Sequence, residues 1–316
     1  MNFKHNLVFM GTSEFAVPAL KALISNNIMP DAVYTQPDRV GGRGRKIIMS
    51  PIKKVAHELD LNILQPETLK DAIVFEEFKQ IKPDVLVLAA YGNILPEEYL
   101  AVPKGGGLNI HPSLLPLHRG PSPVVHTILE GDLVAGVSIF IMDKGMDSGS
   151  VIASKTFSLN GSETGGELTN TLSAEGASLL IPTLKSWMSG ITIPVPQIGD
   201  KATYSKLLKK SDSRLDFNES ADKLRRQILA FNPWPAAYTT YKGKRLVIRR
   251  ADIIESTDIS LMPGQVRYIE SSQKLLIGTN DNLLLITELQ LEGKKPMLAA
   301  DFIRGYRDLV GQELPN

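Results

Sequence analysis

GLNIHPSLLPLHRG, residues 107–120, is an apolar run that stops at His111 and then turns through two prolines. A strand over Leu108 to His111 places Asn109 and His111 two residues apart, so their side chains project the same way. The strand ends there, which puts both at the carboxyl edge of its sheet, where open α/β folds bind ligands. The pattern extends in both directions. Short apolar runs at Asn6 to Met10, Ala32 to Thr35, Val85 to Ala89 and Gly136 to Met142 alternate with amphipathic stretches near Phe15 to Ile24 and Ile52 to Leu59. Such alternation predicts βαβ units and a doubly wound, mostly parallel, Rossmann-like sheet of the α/β class. Ser50 as N-cap and Pro51 at the first helical position open the second helix, and Thr12 and Ser13 are read as caps of the first. Leu168, Leu172, Leu179, Leu180 and Leu184 predict a closing helix within Thr164 to Met188, interrupted by Pro182 and ended by Gly190.

After that helix, ITIPVPQIGDKATY, residues 191–204, mixes Pro, Gly and polar residues without periodicity, as interdomain linkers do. The expected organisation is a catalytic domain over 1–190, a linker over 191–204 and a C-terminal domain over 205–316. In the last, a short helix over Ser220 to Ala230 precedes strand-like runs at Lys244 to Arg250, Gly264 to Ile269, Lys274 to Gly278 and Leu283 to Leu289. These predict a smaller antiparallel β-barrel of the OB-like kind.

The 316 residues contain no cysteine. That excludes a disulfide framework, a thiol nucleophile and any cysteine-built zinc or iron-sulfur site. The longest apolar runs, such as Val85 to Ala90, fall far short of the roughly 20 residues needed to span a bilayer. The N-terminal apolar core is too short for a secretory signal, so a soluble, cytoplasmic protein is expected. Thirty-five Lys and Arg nearly balance 34 Asp and Glu, but residues 201–250 hold 13 basic and 4 acidic residues. This imbalance fits either a polyanion footprint such as nucleic acid or a solvated basic face.

A second chemical stretch is MDKGMDSGSV, residues 142–151, where glycines flank Asp147 in a tight loop. If that loop reaches the strand end, Asn109, His111 and Asp147 form a trio suited to acyl-type transfer. Asn109 would donate to a developing oxyanion, His111 would shuttle a proton, and Asp147 would orient and charge the imidazole. The alternative is a structural histidine and a turn aspartate. N-x-H lacks the i, i+4 spacing of a zinc-binding HExxH motif, so no metal is expected. No GxGxxG follows a strand and opens a helix, which argues against a nicotinamide enzyme.

SLLP following N-x-H, together with the MDxGxDxG pattern from Met142, resembles the folate-dependent formyltransferases. Further stretches, QPDRVGGRGRKIIMSPIK at 36–53, AAYGNIL at 89–95, FNPWPAAY at 231–238 and GKKPMLAADFIRGYR at 293–307, are similar to the branch of that family acting on methionyl-tRNA. The resemblance implies formyl transfer from 10-formyltetrahydrofolate, a co-substrate, to the α-amine of initiator methionyl-tRNA, giving N-formylmethionyl-tRNA for translation initiation, with tetrahydrofolate released. It implies catalytic roles for Asn109, His111 and Asp147. Folate contacts are expected at Ser113, Leu114, Leu115 and Pro116, at Tyr91, Gly92, Ile94 and Leu95, and at Asp143. For tRNA it points to the glycine-loosened loop that holds Arg39, Arg43, Arg45 and Lys46, with Arg43 matching its central arginine; by charge, Lys206, Lys209, Lys210, Lys242, Lys244, Arg245, Arg249 and Arg250 are the candidates for phosphate contact in the C-terminal part. No membrane and no obligate protein partner are implied. The chain departs from the family pattern at Leu117 and His118, where relatives carry a basic residue then an aromatic, and at Pro121 and Ser122, in place of two alanines. Phe231, Trp234 and Tyr238 are read as a packed corner, with a base-stacking platform as the alternative. Competing functions are formyl transfer to an amino-sugar nucleotide, a folate-dependent hydrolase, and an RNA-binding protein on an idle enzyme scaffold.

Overall fold

Five consecutive buried residues make up β1 (Leu7–Gly11), as expected of a central strand covered on both faces. In the computed structural model, which describes residues 3–41, 46–255 and 259–315, the chain continues through α1 (Val17–Ser25), β2 (Ala32–Tyr34), β3 (Arg39–Gly41), β4 (Lys46–Ile48), α2 (Pro51–Glu58) and β5 (Ile63–Leu64). There follow α3 (Ala72–Ile81), β6 (Val85–Ala89), α4 (Glu97–Ala101), β7 (Gly107–His111), α5 (Pro123–Glu130), β8 (Val134–Ile141), β9 (Val151–Ser158) and α6 (Gly165–Met188). The main sheet has the order β5-β2-β1-β6-β7-β8-β9. Pairings from β5 to β7 are parallel, and β8 and β9 add an antiparallel margin. The direction of winding reverses between β1 and β6, the kind of switch point at which such sheets open a ligand crevice. The expected Rossmann-like sheet is therefore present, and β6 runs over the residues read from the sequence.

Local chemistry explains several boundaries and corrects two. Ser50 Oγ accepts from Lys53 N at 3.0 Å and so caps α2 as expected. Thr12 does not cap the first helix. Its hydroxyl donates to the Tyr91 carbonyl at 2.7 Å and accepts from Gln36 N, tying the exits of β1, β2 and β6 together. Ser13 is the N-cap residue of a short 3₁₀ turn and makes no side-chain cap bond. Pro182 does not interrupt α6, which runs unbroken for 24 residues; a proline removes one backbone donor, and burial of Leu180, Ile181 and Leu184 around it holds the helix together.

Contact clustering separates two units, each described by itself. The first contains Met1–Pro123, Val134–Ser158 and Thr169–Ser205; the second contains Val124–Leu133, Leu159–Leu168 and Lys206–Asn316. Residues 191–204, read above as a linker, bond to the first unit. Val195 pairs with Val151 and Tyr204 with Arg119 as isolated bridges. Inside the first unit, Val8, Met10, Tyr34, Phe78, Leu86, Leu88 and Tyr99 form one apolar cluster. The α6 helix approaches the sheet at Gly176, where an added Cβ would lie 2.7 Å from Ile110 Cγ2 and 3.2 Å from Val137 Cγ2. Ser173 in the same helix donates to the Phe15 carbonyl at 2.7 Å.

The second unit carries α7 (Ala221–Ala230), β10 (Tyr238–Tyr241), β11 (Lys244–Ile254), β12 (Val266–Ile269), β13 (Lys274–Gly278), β14 (Leu283–Leu291), β15 (Met297–Leu298) and α8 (Ala299–Gly305). Its sheet is antiparallel, ordered β10-β11-β14-β13-β12 with β15 on β14. An antiparallel C-terminal domain smaller than the first, expected from the sequence as an OB-like barrel, is thus present as this antiparallel sheet. Alternate residues of β11 and β14 meet Leu224, Ile228 and Phe302 in one core. Among the described residues, no helix is long and apolar enough to cross a membrane.

The tight approach of α6 beneath β7 generates a stability prediction. Gly176→Val should force helix and strand apart and cost about 1–3 kcal/mol, the usual penalty for overpacking. Urea denaturation followed by far-UV circular dichroism should show a lower midpoint; an unchanged midpoint would mean that the approach is slack.

Candidate active site

Asn109 is the middle and His111 the last residue of β7, and the backbone alternation turns both side chains to the face opposite Leu108 and Ile110. Parallel pairing with β6 and antiparallel pairing with β8 fix the strand on both sides. The His111 side chain is almost wholly buried. Its Nε2 lies 3.1 Å from the His118 carbonyl, and since a carbonyl only accepts, Nε2 carries the proton and donates. Nδ1 faces Asp147 Oδ2 at 3.6 Å, an ion-pair separation longer than a hydrogen bond. The structure thus brings His111 and Asp147 together as the sequence suggested. Burial pushes the His111 ring below its ordinary pKa, while the Asp147 carboxylate and the His118 carbonyl pull it upward.

Asp147 reaches this position from the loop between β8 and β9 with a left-handed backbone, φ 50°. Its Oδ2 also accepts from Gly120 N at 2.7 Å. An added Cβ at Gly149 would lie 1.7 Å from the Ile141 carbonyl, so the loop closes only with glycine there. Asn109 is half-buried, and no hydrogen bond of its amide occurs among the described residues, which leaves it free for a ligand.

The expected folate segments divide by what their atoms already do. Ser113 Oγ donates to the Leu117 carbonyl at 2.6 Å, and the Ser113 carbonyl accepts from Ser138 Oγ at 2.7 Å. Ser138 Oγ accepts in turn from Leu115 N at 3.1 Å. Ser113 is therefore a staple of the turn rather than an open donor. Leu114, Leu115 and Pro116 are half-buried beside it. Ser138, fully buried on β8 opposite His111, was not singled out from the sequence; a serine within an apolar strand was the available signal. In the β6 exit loop, Gly92 is exposed, Leu95 is buried, and Ile94 stands 94% exposed. Tyr91 turns into the apolar cluster, where burial pushes its phenol up to about 12. Asp143 is exposed and accepts from Gly145 N and Ser148 Oγ, a turn carboxylate.

Of the basic residues, Arg39 is exposed and donates to Gln36 Oε1 at 2.7 Å. Arg43 and Arg45 lie outside the described residues, as does the side chain of Lys46. Lys209, Lys210 and Lys244 are exposed. Arg245 differs from its expected role: its guanidinium donates to the carbonyls of Pro235 and Ala236 and lies 4.0 Å from the Tyr238 ring centroid. Phe231 is buried while Trp234 is 56% exposed, so only part of the aromatic stretch forms the packed corner.

The formyl transferase family model matches residues 5–184, and the model of the formyl transferase C-terminal domain matches residues 207–307. The chain belongs to the formyl transferase family. It is 41% identical to the methionyl-tRNA formyltransferase of Carboxydothermus hydrogenoformans over 97% of this chain and 98% of that one. By structure it is similar to an N-formyltransferase from Helicobacter canadensis in complex with folinic acid and dTDP-3-aminofucose. There the TM-score is 0.67 and the identity 18%, over 89% of this chain and 98% of that one. It is also similar to HypX from Aquifex aeolicus in complex with tetrahydrofolic acid, at TM-score 0.64 and 16% identity, covering 98% of this chain but 49% of that longer one. These two likenesses concern the fold.

A pH prediction follows from His111. The buried ring favours its neutral form, so its folded pKa lies below the unfolded value of about 6.5. The stability this neutral ring contributes is present above that value and is lost as pH falls through it toward the folded pKa. Asp147→Asn removes the charge that opposes burial and should move the His111 titration to still lower pH. Histidine-labelled NMR across pH 4–8 reads this directly; an unmoved or raised titration would reject the pairing.

Proposed function

We propose that this chain transfers the formyl group of 10-formyltetrahydrofolate to the α-amino group of methionine on initiator tRNA, yielding N-formylmethionyl-tRNA and tetrahydrofolate. The observation that carries the reading is a buried histidine facing a carboxylate at 3.6 Å, two residues along its strand from an amide with no bond among the described residues, in a chain 41% identical to a methionyl-tRNA formyltransferase.

The chemistry follows from the geometry. Attack of the amine nitrogen on the formyl carbon gives a tetrahedral intermediate whose oxygen becomes anionic. Asn109 donates to that oxygen from a strand that holds it in place, which is where a preorganised donor is worth most. Neutral His111 takes the proton of the attacking nitrogen at Nδ1, the nitrogen left unprotonated when Nε2–H donates to the His118 carbonyl and the one that faces Asp147. Asp147 stabilises the imidazolium so formed. The same proton then passes to N10 of the folate as the carbon–nitrogen bond breaks, which leaves no net charge on the histidine.

Support for tRNA as the formyl acceptor comes from the exposed lysines Lys209, Lys210 and Lys244 and from the likeness of both units to one relative. Such a substrate belongs in the cytoplasm. Incubation with 10-formyltetrahydrofolate and methionyl initiator tRNA should yield formylmethionine; formylation of an amino-sugar nucleotide instead would support the competing reading. Asn109→Ala should slow turnover by roughly 10²- to 10³-fold, the usual effect of losing one oxyanion donor, with folate binding retained. Full turnover in that variant would remove Asn109 from catalysis. Replacing Lys209, Lys210 and Lys244 together by alanine should flatten the salt dependence of tRNA binding by about 0.9 in log-log slope per lost duplex-phosphate contact. An unaltered slope would place the phosphate contacts elsewhere.

A further inference from the structure

Within the stretch 191–204, one side chain reaches the Asp147 loop. Gln197 Nε2 donates to the carbonyls of Asp147 at 2.8 Å and Gly149 at 2.7 Å. Its Oε1 accepts from Arg119 Nε at 3.0 Å and Nη2 at 2.7 Å. The amide orientation is unambiguous, since carbonyls only accept and a guanidinium only donates. Arg119 is itself buried and fixed along its backbone: its N donates to the Thr203 carbonyl at 2.9 Å and its carbonyl accepts from Ser205 N at 2.7 Å.

These bonds close a ring around the candidate site. Arg119 precedes Gly120, whose N–H holds Asp147 Oδ2, and follows His118, whose carbonyl holds His111 Nε2. Gln197 therefore joins the segment that positions both partners of the ion pair to the main chain that carries the carboxylate. The loop carries a left-handed Asp147 and a glycine that admits no Cβ, a backbone shape that persists only where surrounding bonds hold it. We propose that Gln197 and Arg119 form a clamp that sets the separation of His111 and Asp147, making both of them positioning residues for the reaction.

This inference rests on the reading of Asn109, His111 and Asp147 as the reacting trio. Neither clamp residue acts on substrate directly. Each works by holding a charge at fixed distance in a buried place, where a shift of about 1 Å can cost roughly a hundredfold in rate. Two titratable groups face the His111 ring, Asp147 from the loop after β8 and His118 from the loop after β7. From β8 comes Phe140, ring edge to ring, at 6.3 Å.

The test uses the full-length chain with Gln197→Met, which keeps the side-chain length and deletes all four bonds. Arg119→Lys keeps the charge but loses the two-pronged grip, and serves if the first variant fails to fold. His111 titration is read by NMR beside wild type and Asp147→Asn, and formyl transfer is measured on the same samples. The expected result is a His111 titration moved part of the way toward that of Asp147→Asn. Turnover should fall by roughly tenfold or more with both KM values nearly unchanged, the mark of an interaction that matters in the transition state. A folded variant with wild-type titration and wild-type turnover overturns the clamp. A lowered titration with undiminished transfer upholds the clamp and counts against His111 as the proton carrier, so the two readings fail separately. A wild-type titration with lower turnover also overturns it, since the loss would then arise elsewhere.

Discussion

A carboxylate and an imidazole 3.6 Å apart, with the imidazole almost wholly buried, are the constraint around which the first unit is organised. Burial disfavours the charged ring, the carboxylate favours it, and in a low-dielectric place both effects are large and depend steeply on separation. A neutral ring that a neighbouring carboxylate pulls toward its charged form can accept a proton and release it again. That balance persists only while the carboxylate stays put. The register of β7 against β8, the Gly120 N–H and the glycine at 149 all serve to hold it.

Hydrogen-bond accounting separates groups that build the site from groups left to act. The side chains of Ser113 and Ser138 bond loop backbone, and Asp143 accepts from Gly145 N and Ser148 Oγ, which meets the demand that polar groups taken from water find partners. The Asn109 amide has no such bond among the described residues. A half-buried amide without a protein partner costs stability, and a ligand oxygen is its natural complement. The same reasoning makes the Ser113 hydroxyl a turn staple rather than an open donor.

The parallel sheet was legible because its strands are short, apolar and separated by helix-capping and turn residues, as at Val85–Ala89 and Ser50–Pro51. Strand β9 was missed since its residues are largely exposed and polar, VIASKTFS, and gain their regularity from pairing with β8. The two-residue β5 carries too little pattern to read. Thr12 was misread because a hydroxyl near a helix start looks like a cap, whereas its partners, Tyr91 and Gln36, come from distant parts of the chain. Asn109, His111 and Asp147 stood out through motif spacing. Gln197 had no signal, since a glutamine in a proline-rich run reads as solvated until the chain folds back on Arg119.

Counting positive residues overstates what the basic stretch can offer a polyanion. Arg249 donates twice to Gln290 Oε1. Arg250 pairs with Glu167, and Lys242 with Asp308. Arg245 is spent on two carbonyls and a tyrosine ring. Cations committed in this way still add to the long-range field that draws a polyanion in. They do not release counterions by direct phosphate contact unless they first give up their partners, and that cost offsets the gain. The exposed Lys209, Lys210 and Lys244 carry no such cost. On this reasoning, the excess of positive charge over 201–250 would draw in a polyanion along its whole length, while the exposed lysines would meet a phosphate without first giving up a partner found among the described residues.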